Sequence, residues 1–320
     1  MPHYNGKDAK MDRLVVTNLT KRYEKGKFAL NRVSLTVPSS NGIFALIGRN
    51  GAGKTTLVRI LATQLSPTSG SAHINGIDVV KEPEKLREII ACVPQEARAI
   101  NWTTPKQFVY AYLLWRGYSF KEAAKRAVDS LKRLGIGGYM DTASRKLSGG
   151  TKRKVLVATV ISSEAKIIFL DEPTTGLDPL SRNELWEKLA ELKKDHFIFL
   201  TTHYLEEAEK LADRIAILEN GKIMAQGTLD DLRKMVKYPY SITVLSQHKV
   251  QKPKNGEMII GVDGHSQILT TEREAKEIAR KLVGKGVKFS MNPISLDDIF
   301  YHIVRKPVEE EGNYDEEEWA

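Results

Sequence analysis

The chain has 320 residues, 41% of them hydrophobic, and a formal net charge of +9 at neutral pH. This length and composition predict a globular protein of about two domains, and its longest apolar run, residues 155–161, is far shorter than the ~20 residues that span a bilayer. The first thirteen residues contain no apolar segment of the kind that a secretory signal needs, so we expect the chain to stay in the cytosol.

The charge is unevenly distributed along the sequence. Seven acidic and no basic residues follow Val308, so the body that precedes them is more basic than the whole chain. A basic body suits either nucleic acid or a membrane surface with anionic lipids. Residues 307–320 combine these acids with few apolar side chains, which predicts an acidic, disordered tail.

A glycine-rich loop follows two predicted strands, residues 14–19 and 33–37, and the buried strand 43–47. The loop consists of Gly48, Arg49, Asn50, Gly51, Ala52, Gly53, Lys54, Thr55 and Thr56. This is the spacing of a phosphate-binding loop, whose glycines let backbone N–H groups close on the α- and β-phosphates. Lys54 would reach the β- and γ-phosphates, and the Thr55 hydroxyl would ligate Mg²⁺. The loop therefore predicts a nucleoside triphosphate site.

Two residues outside the loop could contribute to the same predicted nucleotide site. Tyr23 lies about 25 residues ahead of it, and an aromatic ring there could stack on adenine, although a lone loop tyrosine more often only packs against its own protein. Gln95 follows the predicted strand 90–93. Its carboxamide could bind Mg²⁺ or the attacking water, whereas a solvated loop glutamine is the commoner case. Neither signal is specific alone.

Helices replace strands after residue 102, and we predict a helical insertion of about residues 97–162. Residues 105–115 and 120–134 form its first two helices. Seven aromatic residues lie within or beside them, namely Trp102, Phe108, Tyr110, Tyr112, Trp115, Tyr118 and Phe120. Helical spacing predicts that Phe108, Tyr112 and Trp115 share one face. Such a density suits either packing inside the insertion or an interface with another protein.

The sequence Leu147-Ser148-Gly149-Gly150 opens a third helix, residues 151–162. A serine cap and two glycines at a helix N-terminus can bind an anion, although a capped helix start is the simpler interpretation.

Two buried strands end in polar residues. Residues 167–170 lead into Asp171 and Glu172, and residues 197–202 lead into His203. An aspartate at a strand end, downstream of a phosphate loop, is a second Mg²⁺ ligand. The adjacent Glu172 is placed to polarise water, and a strand-end histidine can contact the γ-phosphate.

The C-terminal part predicts a separate small α+β domain, residues 237–306. A hairpin over residues 213–226 and a helix that ends at Met235 close the preceding domain, and the composition changes at residues 237–239. Beyond this point we predict strands at 242–245, 258–262, 267–270 and 287–291, a helix capped by Thr271 and a helix at 295–304.

Five elements in this order resemble the nucleotide-binding subunits of the ATP-binding-cassette (ABC) family, over residues 12–236. They are the loop 48–56, Gln95, the sequence 147–150, residues 167–172 and His203. The resemblance implies an α/β fold of the P-loop NTPase type, with a RecA-like core, an antiparallel β subdomain and a helical insertion. It also implies ATP bound by Tyr23 and the loop.

The resemblance further implies Mg²⁺-dependent ATP hydrolysis. Glu172, His203, Gln95 and Lys54 would be the catalytic residues, and Thr55, Gln95 and Asp171 would hold the Mg²⁺. It implies a homodimer or paired cassette as well. In that dimer Ser148, Gly149, Gly150 and Asp178 of one chain would contact the ATP held by the other.

Two positions depart from the family pattern. Thr151 replaces a glutamine whose side chain contacts ribose or phosphate, which puts that contact in doubt. Arg49 replaces the common proline in a slot that points outward, where we expect little effect.

Residues 147–154, 202–208 and 293–300 are similar to exporter ATPases that pair with a separate integral membrane permease. This predicts a peripheral subunit at the cytoplasmic face of the cell membrane, with no nucleic-acid partner. We then expect the aromatic segment to seat a short cytoplasmic helix of the permease. The alternative is a soluble cassette protein that acts on the ribosome or on nucleic acid. Such proteins usually carry two cassettes or a long coiled-coil interruption, and neither occurs in this sequence.

Overall fold

The computed structural model describes residues 13–23, 26–38, 40–244, 253–254, 256–260 and 266–305. The chain divides into two compact units, and the division falls after Thr228. The sequence analysis placed this boundary at residue 237, after a short helix that lies in the second unit. The predicted acidic tail, residues 307–320, lies outside the described residues.

The first unit alternates strands and helices through most of its length. In chain order it contains β1 (Leu14–Arg22), β2 (Phe28–Val37), β3 (Gly42–Ile47), α1 (Lys54–Leu61), β4 (Ser69–Ile74), β5 (Ile77–Asp78), α2 (Pro83–Ile89), β6 (Ile90–Val93), α3 (Pro105–Trp115), α4 (Phe120–Arg133), α5 (Gly149–Ser162), β7 (Ile167–Asp171), α6 (Pro179–Leu192), β8 (Phe197–Thr202), α7 (Leu205–Leu211), β9 (Arg214–Glu219) and β10 (Lys222–Gly227). The second unit contains α8 (Leu229–Met235), β11 (Tyr240–Val244), β12 (Gly256–Ile260), β13 (Ser266–Thr270), α9 (Glu272–Gly284), β14 (Phe289–Pro293) and α10 (Leu296–Arg305).

A six-stranded sheet of order β10-β9-β3-β8-β7-β6 forms the centre of the first unit. β3, β7 and β8 are buried along their whole length, as strands covered on both faces are. β3 pairs in parallel with β8 and β9, and β7 pairs in parallel with β8 and β6. Parallel strands present their carboxyl ends at one edge, so the segments that follow these strands meet there.

The first unit also contains a four-stranded antiparallel sheet of order β2-β1-β4-β5. β1 and β2 pair with several register shifts, and Asn18 and Arg32 have φ angles of 48° and 50°. Such irregularities interrupt the alternation of apolar and polar side chains. This explains why the pattern predicted only residues 33–37 of β2.

The helical insertion is built from α3, α4 and α5, which pack against one another. Thr104 and Gln107 form a capping box at the start of α3, and serines cap the other two helices. Phe108, Tyr112 and Trp115 lie at helical spacing on α3, and the ring centroids of Tyr112 and Trp115 are 6.2 Å apart, but these residues do not form its fully buried side. The buried side of α3 carries Pro105, Val109 and Leu113 instead, because compact side chains at i, i+4 and i+8 allow close helix packing. Phe108 and Tyr112 are half-buried beside them, and Trp115 is exposed.

The second unit is built on an antiparallel sheet of order β12-β13-β11-β14. Its core combines Ile242, Val244 and Ile268 from the sheet with Ala275 and Leu282 from α9. The predicted small α+β arrangement is therefore present in this part of the chain.

We expect Phe199→Ala to lower the free energy of unfolding by about 3–5 kcal/mol, because it leaves a cavity in the central sheet. Phe199 is fully buried, and its ring centroid lies 5.2 Å from that of Phe44 and 5.6 Å from that of Phe169. Urea denaturation measures the change. The matched control is Phe120→Ala, since Phe120 is 75% exposed and should change stability by less than about 0.5 kcal/mol. Equal losses in the two variants would contradict the prediction.

Candidate active site

The phosphate loop connects β3 to α1 at the carboxyl edge of the central sheet. Gly53 precedes the helix with a φ of 110°, and Gly51 has a φ of 84°. A Cβ atom at Gly53 would lie 2.3 Å from the carbonyl oxygen of Ala29, and one at Gly48 would lie 2.2 Å from that of Leu218. Both distances exclude a side chain, so both positions require glycine for close approach, and Gly53 requires it for its left-handed conformation as well.

Lys54 begins α1, and its ammonium group is buried beside the loop. Nζ donates to the carbonyl oxygens of Gly48 at 2.9 Å and Arg49 at 3.2 Å, and it lies 3.2 Å from Oε1 of Glu172. The two charged side chains are only 4% and 5% exposed. Buried charges are tolerated when they are paired and hydrogen-bonded, so each of these groups requires the other in place.

Three more donors contact the other carboxylate oxygen of Glu172. Oε2 accepts from Nε2 of Gln95 at 3.2 Å and from Oγ1 of Thr175 at 3.0 Å. Nδ1 of His203 lies 3.0 Å from the same oxygen and donates to it when that nitrogen carries the proton. Four segments that are far apart in sequence therefore converge on one carboxylate.

Asp171 precedes Glu172 and is itself buried. The hydroxyl groups of Thr201 and Thr55 donate to its carboxylate. Burial raises the pKa of the Asp171 carboxyl, and the two hydrogen bonds oppose that shift. Asp171 is thereby placed beside the first residues of α1.

The predicted metal ligands are of the type that Mg²⁺ prefers. The hydroxyl of Thr55, the carboxylate of Asp171 and the carboxamide of Gln95 are all oxygen donors. Within the described part of the chain, no group of three or more His, Cys, Asp or Glu side chains could hold a metal ion by itself. Phosphate oxygens of a bound nucleotide would have to complete the coordination, as is usual for Mg²⁺.

A cavity of about 240 Å³ joins these groups. It is lined by Ala29, Asn50, Gly51, Gly53, Lys54, Thr55, Thr56, Gln95 and Glu172. Tyr23 lies beside it, with its hydroxyl oxygen 3.4 Å from Oγ1 of Thr56 and its ring about half exposed. The ring is accessible for stacking next to the phosphate loop.

Comparison with known proteins identifies the family. Residues 30–175 match the ABC transporter family. The daunorubicin/doxorubicin resistance ATP-binding protein DrrA of Streptomyces peucetius is 32% identical over 311 residues, which cover 92% of this chain and 93% of that protein. The chain belongs to the ABC transporter family.

Solved structures of ABC proteins agree with this assignment. The ATP-binding subunit of an ABC transporter is 31% identical with a TM-score of 0.61, over 69% of this chain and 92% of the other. A dimeric ATP-binding cassette in a post-hydrolysis state, bound to ADP and Pi, is 26% identical with a TM-score of 0.61, over 68% and 98% of the two chains. These likenesses confirm the predicted P-loop NTPase fold with its antiparallel sheet and helical insertion.

Family membership also confirms the predicted activity. The chain is an ATP-binding and ATP-hydrolysing subunit of a membrane ABC exporter, and neither the family nor the similar proteins support the alternative of action on the ribosome or nucleic acid. Cassettes of this family work as dimers with a transmembrane component. In the described residues, no helix of this cassette is long and apolar enough to cross a membrane.

The residues expected to act on a partner's ATP do not line the cavity at the phosphate loop, although Gly149 lines a neighbouring cavity that also includes Gln95 and Glu172. Oγ of Ser148 accepts from the backbone N–H of Thr151 at 3.1 Å and caps α5. Oδ1 of Asp178 accepts from the backbone N–H of Ser181 at 3.0 Å and caps α6. Ser148 and Gly149 are exposed, and Gly149 lines a second cavity of about 450 Å³. The contact with a partner's nucleotide stays a prediction.

Three further residues of this site were not predicted from the sequence. Thr175 donates to Glu172, and the carbonyl group of Ala29 lies against the phosphate loop. Arg153 binds the backbone at the end of β7 and stands in a run of three basic residues on α5. A threonine in a turn, an alanine in a strand and a helical arginine are common features, so no local pattern identified them.

We expect Glu172→Gln to bind ATP with nearly unchanged affinity and to hydrolyse it about 10²–10⁴-fold more slowly. The amide keeps the size of the side chain but cannot accept a proton from water. Phosphate release measures turnover, and titration with a fluorescent ATP analogue measures binding. Glu191→Gln is the matched control, since Glu191 is an exposed carboxylate on α6. Turnover of Glu172→Gln near the wild-type level would remove Glu172 from this role.

Proposed function

We propose that this cassette forms a dimer with two composite ATP sites and drives a separate integral membrane permease from the cytoplasmic face of the membrane. In each site, the loop 48–56 and Glu172 of one chain hold the nucleotide, and Ser148, Gly149, Gly150 and Asp178 of the partner cover it. The observation that carries this proposal is the separation of the two sets of residues within one chain. The first set lines the nucleotide cavity, and no member of the second set does.

The helix starts of α5 and α6 support a role at a dimer interface. Ser148, Gly149 and Asp178 are all exposed. The backbone N–H groups at a helix N-terminus favour negative charge, so a γ-phosphate presented by a second chain fits these positions. Closure of two such chains around ATP would complete both sites at the same time.

Hydrolysis in this arrangement is an in-line attack of water on the γ-phosphoryl group. Glu172 takes the proton of the attacking water, since it lines the same cavity as Lys54 and Gln95. Lys54 and His203 stabilise the charge that develops on the γ-phosphoryl oxygens. Thr55, Gln95 and Asp171 would hold Mg²⁺, which neutralises charge on the β- and γ-phosphates when it is bound.

Two tryptophans, Trp102 just before α3 and Trp115 at its last position, supply the surface on which we place the permease. Trp102 and Trp115 are 82% and 81% exposed, and Trp102 lies seven residues after Gln95. The 11 residues of α3 span about 16 Å, a length that suits a short helix of the permease. Large exposed aromatic side chains are enriched at protein interfaces. A displacement of Gln95 when ATP binds would be transmitted to this surface.

Tyr118 has a different role in the same segment. Its hydroxyl donates to the carbonyl oxygen of Ser163 at 2.7 Å, and its ring packs 4.8 Å from the guanidinium carbon of Arg126. It therefore stabilises the helical insertion and is unsuitable for testing the docking surface.

We expect ATPase activity to fall with the second power of protein concentration at high dilution, because each site needs two chains. Ser148→Arg should preserve ATP binding and abolish hydrolysis by blocking closure of the dimer. Turnover over a dilution series and light scattering with ATP measure the two effects. The matched control is Ser119→Arg, since Ser119 caps α4 in the same way as Ser148 caps α5. Full specific activity of a dilute monomer would contradict the composite site.

We expect the double change Trp102→Ala and Trp115→Ala to leave the ATPase activity of the isolated cassette within twofold of wild type. Recovery of the permease by affinity purification should fall at least tenfold, which corresponds to the loss of one or two interface hot spots. Tyr139→Ala, which changes a half-exposed aromatic in the same insertion, is the control. Normal recovery of the permease, or unfolding of the double variant, would contradict the docking surface.

A further inference from the structure

Arg153 connects α5 to the backbone of the catalytic strand. Its side chain is buried, with the residue 8% exposed. Nε donates to the carbonyl oxygen of Pro173 at 2.7 Å, and Nη2 donates to those of Asp171 at 3.2 Å and Glu172 at 2.9 Å. Burial lowers the pKa of Arg153 to about 10, so the guanidinium remains charged at neutral pH. One charged group thus binds three consecutive carbonyl oxygens.

These bonds support an unusual backbone conformation. Glu172 has a φ of 48°, in the left-handed region that is unfavourable for residues other than glycine. Its backbone N–H lies 3.1 Å from the carbonyl oxygen and 3.0 Å from the hydroxyl oxygen of Thr201. Arg153 donates a hydrogen bond to the carbonyl oxygen of the same residue. Arg153 does not line the cavity at the phosphate loop, but it lines the neighbouring cavity together with Gln95 and Glu172, and its hydrogen bonds reach the backbone of residues 171–173.

The N-terminal turn of α5, three residues before Arg153, is in close contact with α6. A Cβ atom at Gly150 would lie 2.4 Å from Oγ of Ser181, so the first turns of the two helices are in direct contact. Ser181 is also the residue whose N–H is accepted by the cap Asp178. Ser148, Gly150 and Asp178 are therefore connected to Arg153 through one helix and one close contact.

We propose that Arg153 is a positioning residue that couples the two ATP sites of the dimer. This rests on the proposed function, in which Ser148 and Gly149 meet the partner's ATP while Glu172 acts on the ATP of its own chain. Arg153 lies five residues after Ser148 and binds the carbonyl group of Glu172. Contact between the start of α5 and the partner's nucleotide therefore sets the position of the Glu172 carboxylate at the cassette's own site.

The test uses dimers of two differently tagged full-length chains, purified through both tags. The reporter chain keeps its own loop and Glu172, so only its site hydrolyses ATP. The second chain carries either Lys54→Ala, which leaves its site empty, or Glu172→Gln, which leaves its site loaded. The ratio of reporter turnover between the loaded and empty dimers measures the coupling between sites.

With an otherwise unchanged reporter chain, we expect a ratio of at least about fivefold, within the usual range of coupling between sites. Arg153→Met in the reporter chain should reduce the ratio to about one. The same change in the second chain should leave the ratio intact, although it can lower both turnover rates. Lys154→Met in the reporter chain is the control, since Lys154 pairs with Glu184 at the surface and does not contact residues 171–173.

An unchanged ratio with Arg153→Met in the reporter chain would overturn the proposal. An equal loss of coupling from either placement would also overturn it, since it would indicate a general structural role. If Arg153→Met does not fold, Arg153→Lys carries the same comparison. One ammonium group cannot reproduce the fork of a guanidinium, so the ratio should fall at least twofold in the reporter placement alone.

Failure of the composite site gives a different result. Ser148→Arg in the second chain would then leave reporter turnover unchanged, whereas a composite site predicts that turnover is lost. This measurement separates an error in the proposed function from an error in the role of Arg153.

Discussion

The buried ion pair between Lys54 and Glu172 is the constraint on which the rest of the first unit depends. Two opposite charges that are almost completely removed from water must stay together, since either one alone would be strongly destabilising. Lys54 follows β3 across the phosphate loop, Glu172 follows β7 directly, and β8 lies between these two strands. The parallel order of the sheet brings the two residues, and His203 at the end of β8, to one place.

The groups around this ion pair make two kinds of contact with Glu172, one with its carboxylate and one with its backbone. Side chains contact the carboxylate of Glu172, and these contacts lie where a nucleotide and water must react. Arg153 and Thr201 form hydrogen bonds with the backbone of the same residue. These bonds support its left-handed conformation, which is unfavourable for a residue other than glycine. A carboxylate held in this way has a fixed position before substrate binds, which would favour the catalytic role proposed for Glu172.

The aromatic segment shows how packing can override a sequence pattern. The helix that carries it was predicted with correct ends, because Thr104 and Pro105 form a clear start. The buried face of this helix was not predicted, because the large aromatic residues and the aliphatic residues both recur at helical spacing. Packing against the neighbouring helices determines which of these two sets is buried, and the buried set contains Val109 and Leu113. Trp102 and Trp115 are left at the surface as a consequence.

The sequence by itself determined the elements, the phosphate loop and the family, because glycine spacing, caps and buried strands are local properties of the chain. It also predicted Gln95, Glu172 and His203, each of which follows a strand end. Tertiary structure decided that these residues converge on one carboxylate and that Ser148 lies apart from them. It also decided the contacts of Arg153 with the backbone of residues 171–173, since no local pattern distinguishes this arginine from the lysines beside it. The physical reason is that burial and pairing of charges depend on groups brought together by the sheet, and these are distant along the chain.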